Sequence, residues 1–264
     1  MPFIKLSASR QEKITIVIFQ LASRSAGIGA AICKALAGEG ADIFFTYWVG
    51  YDEQMPWGGN CAEQEQLRKE ILRLGVRCEH AMADLADVRS IPHILNQVEE
   101  ALGKPAILIN NACYSVNDNA DTITAESLDA HYAINIRAVT LLSVEFARRF
   151  NQGTGGRIIN MTSGQSLGPM VGELSYAATK GAIDALTRTL AAEIGSKGIT
   201  VNAVNPGPTD TGWMTPEVRR ELAGRSPLGR VGLPQDAARL IAFLATEDAG
   251  WMTGQIFHSD GGFQ

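Results

Sequence analysis

Tyr176 and Lys180 stand four residues apart in a run, 174–197, that reads as one long helix. On a helix, residues at i and i+4 share a face, one above the other, so the phenol and the ammonium are neighbours. A tyrosine ordinarily loses its proton near roughly pH 10. A nearby cation favours the phenolate and draws that value towards the working pH, where a proton donor is most useful. Ser163 precedes Tyr176 by thirteen residues and follows a short apolar run. A hydroxyl placed there can face the phenol across a crevice. The pattern suits proton transfer to an oxygen atom. The bland alternative is a surface tyrosine that happens to lie near a lysine, and the elements that carry these side chains decide between the two.

Short, nearly continuous apolar runs predict strands buried on both faces at 13–19, 41–47, 76–82, 106–110, 156–161, 199–204 and 255–258. Helices are predicted at 30–39, 61–74, 87–102, 124–150, 174–197, 213–223 and 234–246, several with a glycine behind them. Thr124 is a candidate N-cap for the 124–150 helix. Residues 1–12 read as an irregular lead-in. Residues 48–61, with Gly50, Pro56, Gly58 and Gly59, read as one long loop. Strand and helix alternate throughout, with no linker, repeat or low-complexity stretch. The expected fold class is α/β: a single domain over 1–264, with a Rossmann-type doubly wound parallel sheet of about seven strands and helices on both faces.

In such sheets ligands bind outside the carboxyl ends of the strands, and the unusual residues gather there. After the first strand comes Ala22-Ser23-Arg24-Ser25-Ala26-Gly27-Ile28-Gly29, whose small residues let a backbone approach a diphosphate at a helix N-terminus. Asn110-Asn111-Ala112 follows the fourth strand, Thr162-Ser163-Gly164 the fifth, and Asn205-Pro206-Gly207-Pro208-Thr209-Asp210-Thr211 the sixth. Singly these are turn chemistry. Together, at four strand ends, they mark a site.

The composition excludes other classes. The chain has 264 residues, 45% apolar, and a net charge of −5, which offers no basic surface for nucleic acid or an anionic membrane. The four cysteines (Cys33, Cys61, Cys78 and Cys113) form no C-x-x-C pair, and no histidine cluster joins them, so no metal site is expected. His131 and His258 read as structural. No apolar run has the length of a membrane span, and Lys5, Arg10, Glu12 and Lys13 interrupt any signal-peptide core. The expected location is the cytoplasm.

With the glycine-rich turn, Asp84, Asn110-Asn111-Ala112, Asn135, Ser163, Tyr176-x-x-x-Lys180, Pro206-Gly207 and Asp260-Gly261-Gly262, the chain resembles the short-chain dehydrogenase/reductase family over residues 13–262. It is most similar to the 3-oxoacyl-acyl-carrier-protein reductase-like branch. The resemblance implies that Tyr176 is the general acid of carbonyl reduction. Lys180 would lower the pKa of Tyr176 and bond the nicotinamide ribose, Ser163 would orient the carbonyl, and Asn135 would hold a water linking Lys180 to solvent. The cofactor would meet Ser23, Arg24, Gly27, Ile28 and Gly29 at the phosphate turn. Asp84 and Leu85 would lie at the adenine, Asn111 and Ala112 on the adenosine side, and Pro206, Gly207 and Thr211 at the nicotinamide amide, with Tyr176 and Lys180 beside it. Three also have a plainer reading: Asn135 as a cap of local backbone groups, Asp84 as a helix-start residue for the segment after it, and Thr211 as a cap of the 213–223 helix. The family also implies a homotetramer, a small carbonyl or alcohol substrate that may include an acyl thioester, and no metal.

The chain departs from the pattern in two places. The first glycine of the usual phosphate turn is absent: depending on the alignment, Leu21 or Ser23 stands there. A cofactor-impaired or non-catalytic dinucleotide-fold protein is therefore the alternative. Cys113 replaces the common glycine after Asn-Asn-Ala, and its small size makes that the lesser change. Halohydrin dehalogenation would call for arginine at Lys180, and an enoyl reductase for wider Tyr–Lys spacing. The second strand ends Thr46-Tyr47-Trp48 without an acid for a ribose 2′-hydroxyl, while the guanidinium of Arg24 can meet a 2′-phosphate. NADP(H) is thus expected over NAD(H). Gln165, Leu167, Met170, Val171, Glu173, Trp213 and Met214 fall where the family builds its substrate wall.

Overall fold

Each apolar run becomes a strand. The computed structural model describes residues 14–20, 27–52 and 62–263. Among these, seven strands form one sheet: β1 (Thr15–Phe19), β2 (Asp42–Tyr47), β3 (Cys78–Met82), β4 (Ile107–Asn110), β5 (Gly156–Met161), β6 (Ile199–Asn205) and β7 (Ile256–His258). The order is β3-β2-β1-β4-β5-β6-β7, and every pairing is parallel. The helices between them are α1 (Ile28–Gly38), α2 (Val49–Asp52), α3 (Glu63–Leu72), α4 (Ser90–Leu102), α5 (Ala125–Tyr132), α6 (Val139–Arg149), α7 (Leu174–Ile194), α8 (Pro216–Arg225) and α9 (Pro234–Leu244). No helix among the described residues is long and apolar enough to cross a membrane.

Alternate strand residues enter different cores. Ile16 and Ile18 of β1 pack with α1, α3 and α9, whereas Val17 and Phe19 pack with α4, α6 and α7. The inner strands β1, β2, β4, β5 and β6 are buried almost throughout, whereas the edge strands β3 and β7 are only partly covered. In the centre of the sheet neither face is wet, so β1, β4 and β5 read as nearly unbroken apolar runs. Each such side chain contributes about 1.5–3 kcal/mol by leaving water.

β1 has β2 on one side and β4 on the other, so the crossovers leave it in opposite directions. In sheets of this kind, ligands bind beyond the carboxyl ends of the strands at such a point, here β1 and β4. Phe19 pairs with Asn110, and the Asn111 N–H donates to the Phe19 carbonyl at 3.0 Å. Gly29, in the first turn of α1, closes the same corner. A Cβ there would lie 2.0 Å from Gln20 Oε1 and 2.8 Å from Asn111 Nδ2. The helix start reaches the strand ends because no side chain intervenes.

Three expectations change. The helix predicted over 124–150 is three pieces: α5, a π-helical turn at Ala133–Ala138, and α6. Such a turn carries an extra residue without breaking the apolar face, so periodicity does not reveal it. The 48–61 loop begins with the helical turn α2; residues 53–61 lie outside the described residues, as do 1–13. The helix expected at 213–223 starts at Pro216, where Thr215 Oγ1 accepts the Val218 N–H at 3.3 Å and the proline takes a first-turn position. Thr211 is therefore not its cap. The remaining elements end within three residues of their predicted bounds.

Candidate active site

The helix that carries Tyr176 and Lys180 is seated by a residue 57 positions upstream. Asp118, in the segment after β4, accepts the Ser175 N–H at 3.0 Å and a short bond from the Ser175 hydroxyl. Ser127 Oγ donates to it at 3.4 Å. The Asp118 N–H donates to the Gly172 carbonyl at 3.0 Å, and the Leu174 N–H to the Asp118 carbonyl at 3.3 Å. Burial opposes ionisation of Asp118, but the bonds from Ser175, with His131 and Ser127 nearby, outweigh it and hold the carboxyl below its ordinary range. The result is an N-cap supplied from another part of the chain. Local sequence carries no sign of it.

Tyr176 and Lys180 share one face of α7, as their spacing requires. Lys180 is buried; its Nζ donates to the Met161 carbonyl at 2.8 Å and lies 5.5 Å from the centre of the Tyr176 ring. Met161 ends β5, so this bond ties α7 to the strand that delivers Ser163. Ser163 and Cys113 both lie close enough to the Tyr176 phenol to act on its ionisation. Burial pushes its phenol well above the ordinary value; Cys113 and Glu173 add to this, and Ser163 pulls the other way. The direction is opposite to the depression expected from Lys180. Cys113, the lesser change in sequence, lies close enough to act on the phenol, while its thiol donates to the Tyr114 carbonyl at 3.6 Å. Its replacement of glycine was the available signal.

The segment 113–118 is fastened from the helix side. Asn135, buried in the π turn, accepts the Tyr114 N–H at 2.8 Å and donates to the Tyr114 carbonyl at 2.9 Å and to Thr179 Oγ1 at 3.1 Å. Its side chain thus pins backbone and couples the segment to α7. His131 Nε2 takes the Val116 N–H at 3.2 Å, which places its proton on Nδ1, 2.8 Å from the Ser127 carbonyl. Beneath lies a buried polar row: Asn110 Nδ2 donates to Ser143 Oγ at 3.1 Å and to Asn160 Oδ1 at 2.8 Å, and Asn160 Nδ2 to Thr187 Oγ1 at 3.0 Å. Gln165 is tied inward, its Nε2 2.6 Å from Asp184 Oδ2 and 3.2 Å from Thr162 Oγ1.

On the cofactor side, Gly27 is extended at the N-cap of α1, with no side-chain cap and no acid in the first turn. Ile28 packs partly on the core, and Asn111 lies against Gly29. Ala112 is buried. Asp84 Oδ1 accepts the Ala86 N–H at 2.8 Å, a turn bond six residues before α4 starts at Ser90 and so not a helix start, and the Leu85 side chain is buried in the core. The Gly207 N–H donates to Asn205 Oδ1 at 2.9 Å, and φ is +62° at Gly207, where a Cβ would lie 2.5 Å from that of Asp260. Thr209 Oγ1, not Thr211, holds this turn, donating to the Pro206 and Gly207 carbonyls at 3.0 and 3.2 Å. Ser23 and Arg24 lie outside the described residues.

Residues 22–264 match the family model described as enoyl-(acyl carrier protein) reductase. The chain is 54% identical over 255 residues to the uncharacterized oxidoreductase YjdA of Bacillus subtilis, covering 96% of this chain and 97% of that one. The chain belongs to the short-chain dehydrogenase/reductase family. A second member, the 3-oxoacyl-[acyl-carrier-protein] reductase FabG of Pseudomonas aeruginosa, is 31% identical over 259 residues, 96% of this chain and 98% of its own. A short-chain dehydrogenase from Burkholderia cenocepacia, solved in complex with NADP, superposes with a TM-score of 0.83 at 33% identity, covering 95% of this chain and 97% of that one.

A short-chain dehydrogenase/reductase takes a nicotinamide dinucleotide, and the described residues fit one. The first N–H groups of α1 have no side-chain cap, which suits a diphosphate. Gly29 keeps the corner of β1 and β4 free of a side chain. Lys180 and Tyr176 stand at the end of β5, where a nicotinamide riboside would reach them.

Proposed function

We propose that this member of the family is an NADP(H)-dependent reductase that converts a carbonyl to an alcohol. The observation that carries the reading is Lys180 Nζ, tied to Met161 and 5.5 Å from the centre of the Tyr176 ring, with Ser163 close enough to act on the phenol. When bound, the cofactor supplies the hydride to the carbonyl carbon. Ser163 orients the carbonyl oxygen, and Tyr176 gives its Oη proton to that oxygen as charge develops there. A phenol held protonated by burial suits the donor role of reduction. Lys180, tied to Met161, fixes the ring and bonds the ribose. The side chain of Asn135 is already committed to Tyr114 and Thr179, so a water linking Lys180 to solvent would be held by backbone groups of the π turn. The four-residue Tyr–Lys spacing favours C=O over C=C reduction, whatever the description of the family model. A 3-oxoacyl thioester, a ketone and an aldehyde all remain within this class; the FabG relative supports the first. The location is proposed as cytoplasmic and the assembly as a homotetramer.

The cofactor arm is tested by titrating the purified protein with NADPH and with NADH and following nicotinamide fluorescence. Tight NADPH and weak NADH binding is expected, with the preference lost in Arg24→Ala. An unchanged preference in that variant would remove Arg24 from the 2′-phosphate site. Binding of neither nucleotide would place the chain with the cofactor-impaired alternative that the missing first glycine raises.

A further inference from the structure

One face of α7 is fastened, bond by bond, to the end of β5 and the residue beyond it. Thr187 Oγ1 accepts from Asn160 Nδ2 at 3.0 Å, Lys180 Nζ donates to the Met161 carbonyl at 2.8 Å, and Asp184 takes the next residue, Thr162. Asp184 lies one turn beyond Lys180 on the same face. It is buried, and its two oxygens serve residues on either side of Ser163. Oδ1 accepts the Thr162 hydroxyl at 2.6 Å, and Oδ2 accepts Gln165 Nε2 at 2.6 Å. Gln165 Nε2 also donates to Thr162 Oγ1 at 3.2 Å, which closes the three side chains on one another. Both donors to Asp184 are neutral, so the carboxylate is an expensive way to hold a helix that Lys180 and Thr187 already fasten. A carboxylate only accepts, so Asp184 fixes which end of the Gln165 amide faces it, and Gln165 Oε1 is left buried without a partner. That unpaired acceptor is a cost that packing alone does not explain. Ser163 stands between the two clamped residues, extended at φ −148° and ψ −167°, and its side chain makes no bond to the 3₁₀ turn Gly164–Ser166 that follows it.

Resting on the carbonyl-reductase reading, we propose that Asp184 is a positioning residue for Ser163. It holds Thr162 and Gln165, and through them the backbone between, so that the Ser163 hydroxyl meets the carbonyl oxygen that Tyr176 protonates. It touches no reacting atom itself. A misplacement of about 1 Å at a reacting group costs about 10²-fold in rate. The clamp acts on the serine, so Tyr176, Lys180 and the cofactor keep their places without it.

Asp184→Asn keeps the shape but offers one acceptor oxygen to two donors. Single-turnover reduction, with enzyme and NADPH in excess, reads even slow variants. Acetoacetyl-CoA, ethyl acetoacetate and 4-nitrobenzaldehyde serve as the thioester, ketone and aldehyde probes. Asp184→Asn is expected to slow the step about 10–100-fold while the dissociation constant for NADPH stays within about twofold. In a Ser163→Ala background the same change is expected to cost less than about twofold, because the hydroxyl it positions is gone. Thr162→Val removes one arm of the clamp and should give the same pattern at smaller amplitude, which keeps the test open if Asp184→Asn folds poorly. Equal slowing with and without Ser163, or a matched loss of NADPH affinity, overturns the proposal and leaves Asp184 as a fastening of α7, with the reductase reading in place. Reduction of none of the probes by a native chain that binds NADPH overturns both.

Discussion

Tyr176→Phe is expected to lower kcat for carbonyl reduction by about 10²–10⁴-fold, the usual worth of a positioned proton donor. The ring, its packing and the Lys180–Met161 bond survive that change, so the dissociation constant for NADPH should move far less than kcat. Stopped-flow turnover beside a fluorescence titration separates the two. The native enzyme supplies a second arm. Burial holds the phenol above its ordinary value, so the protonated form that reduction needs persists through neutral pH. The phenolate that oxidation needs becomes available only on the alkaline side. Reduction should therefore keep its rate through neutral pH, and alcohol oxidation should rise into alkali. If Tyr176→Phe retained most of its kcat, the proton would have to come from another group, and Cys113 is a candidate because it acts on the same phenol.

Asp118→Ala is expected to damage both stability and turnover, although Asp118 touches no reacting atom. It leaves the Ser175 N–H and hydroxyl without their partner in a buried place. Bonds to a charged group are worth about 1.5–3 kcal/mol, and an orphaned donor adds its own penalty. A loss of about 3 kcal/mol corresponds to a Tm about 6–12 °C lower in a chain of this size. The first turn of α7 then loosens, and a misplacement of Tyr176 by about 1 Å costs kcat about 10²-fold. Asp118→Asn keeps one carbonyl oxygen and should fall between. The pH dependence has a definite sign. The folded carboxyl lies below its unfolded value of about 4. Its contribution is therefore complete above that pH and is lost as pH falls through the folded value. The gap in Tm between the native chain and Asp118→Asn should be constant near neutrality and narrow only in acid. Scanning calorimetry across that range checks it. A native-like Tm for Asp118→Ala would mean that Gly172 and Leu174 alone seat the helix.

What could be read in the sequence follows from the range of the interactions. The strands were legible because both faces of β1, β4 and β5 are dry, which leaves a local mark in every residue. The Tyr176–Lys180 pair was legible because helical spacing is local, and the glycines because backbone geometry demands them. The partners of these groups were not. Asp118 lies 57 residues from Ser175, and Asn135 44 from Thr179. Neither pairing leaves a period or a motif. The π turn escaped because one extra residue shifts the helix phase without altering its apolar content. The direction of the Tyr176 shift was missed for a related reason. The cation is visible four residues away, while the desolvation that sets the direction comes from the whole fold. The phosphate turn at Ser23 and Arg24 lies outside the described residues, so its sequence reading stands as a proposal.

The tethers of the site also bear on how it comes into being. The bonds of Lys180 to Met161, Asn135 to Tyr114, Asn135 to Thr179 and Asp118 to Ser175 close loops of 19, 21, 44 and 57 residues. Each closure carries an entropic cost that must be met before its bond forms, and contacts of this range make a parallel sheet slow to assemble. A helix spanning 174–194 can form on its own without orienting its tyrosine. Recovery of turnover after dilution from denaturant should therefore lag behind recovery of helical signal, and catalytic competence belongs to the last docking event.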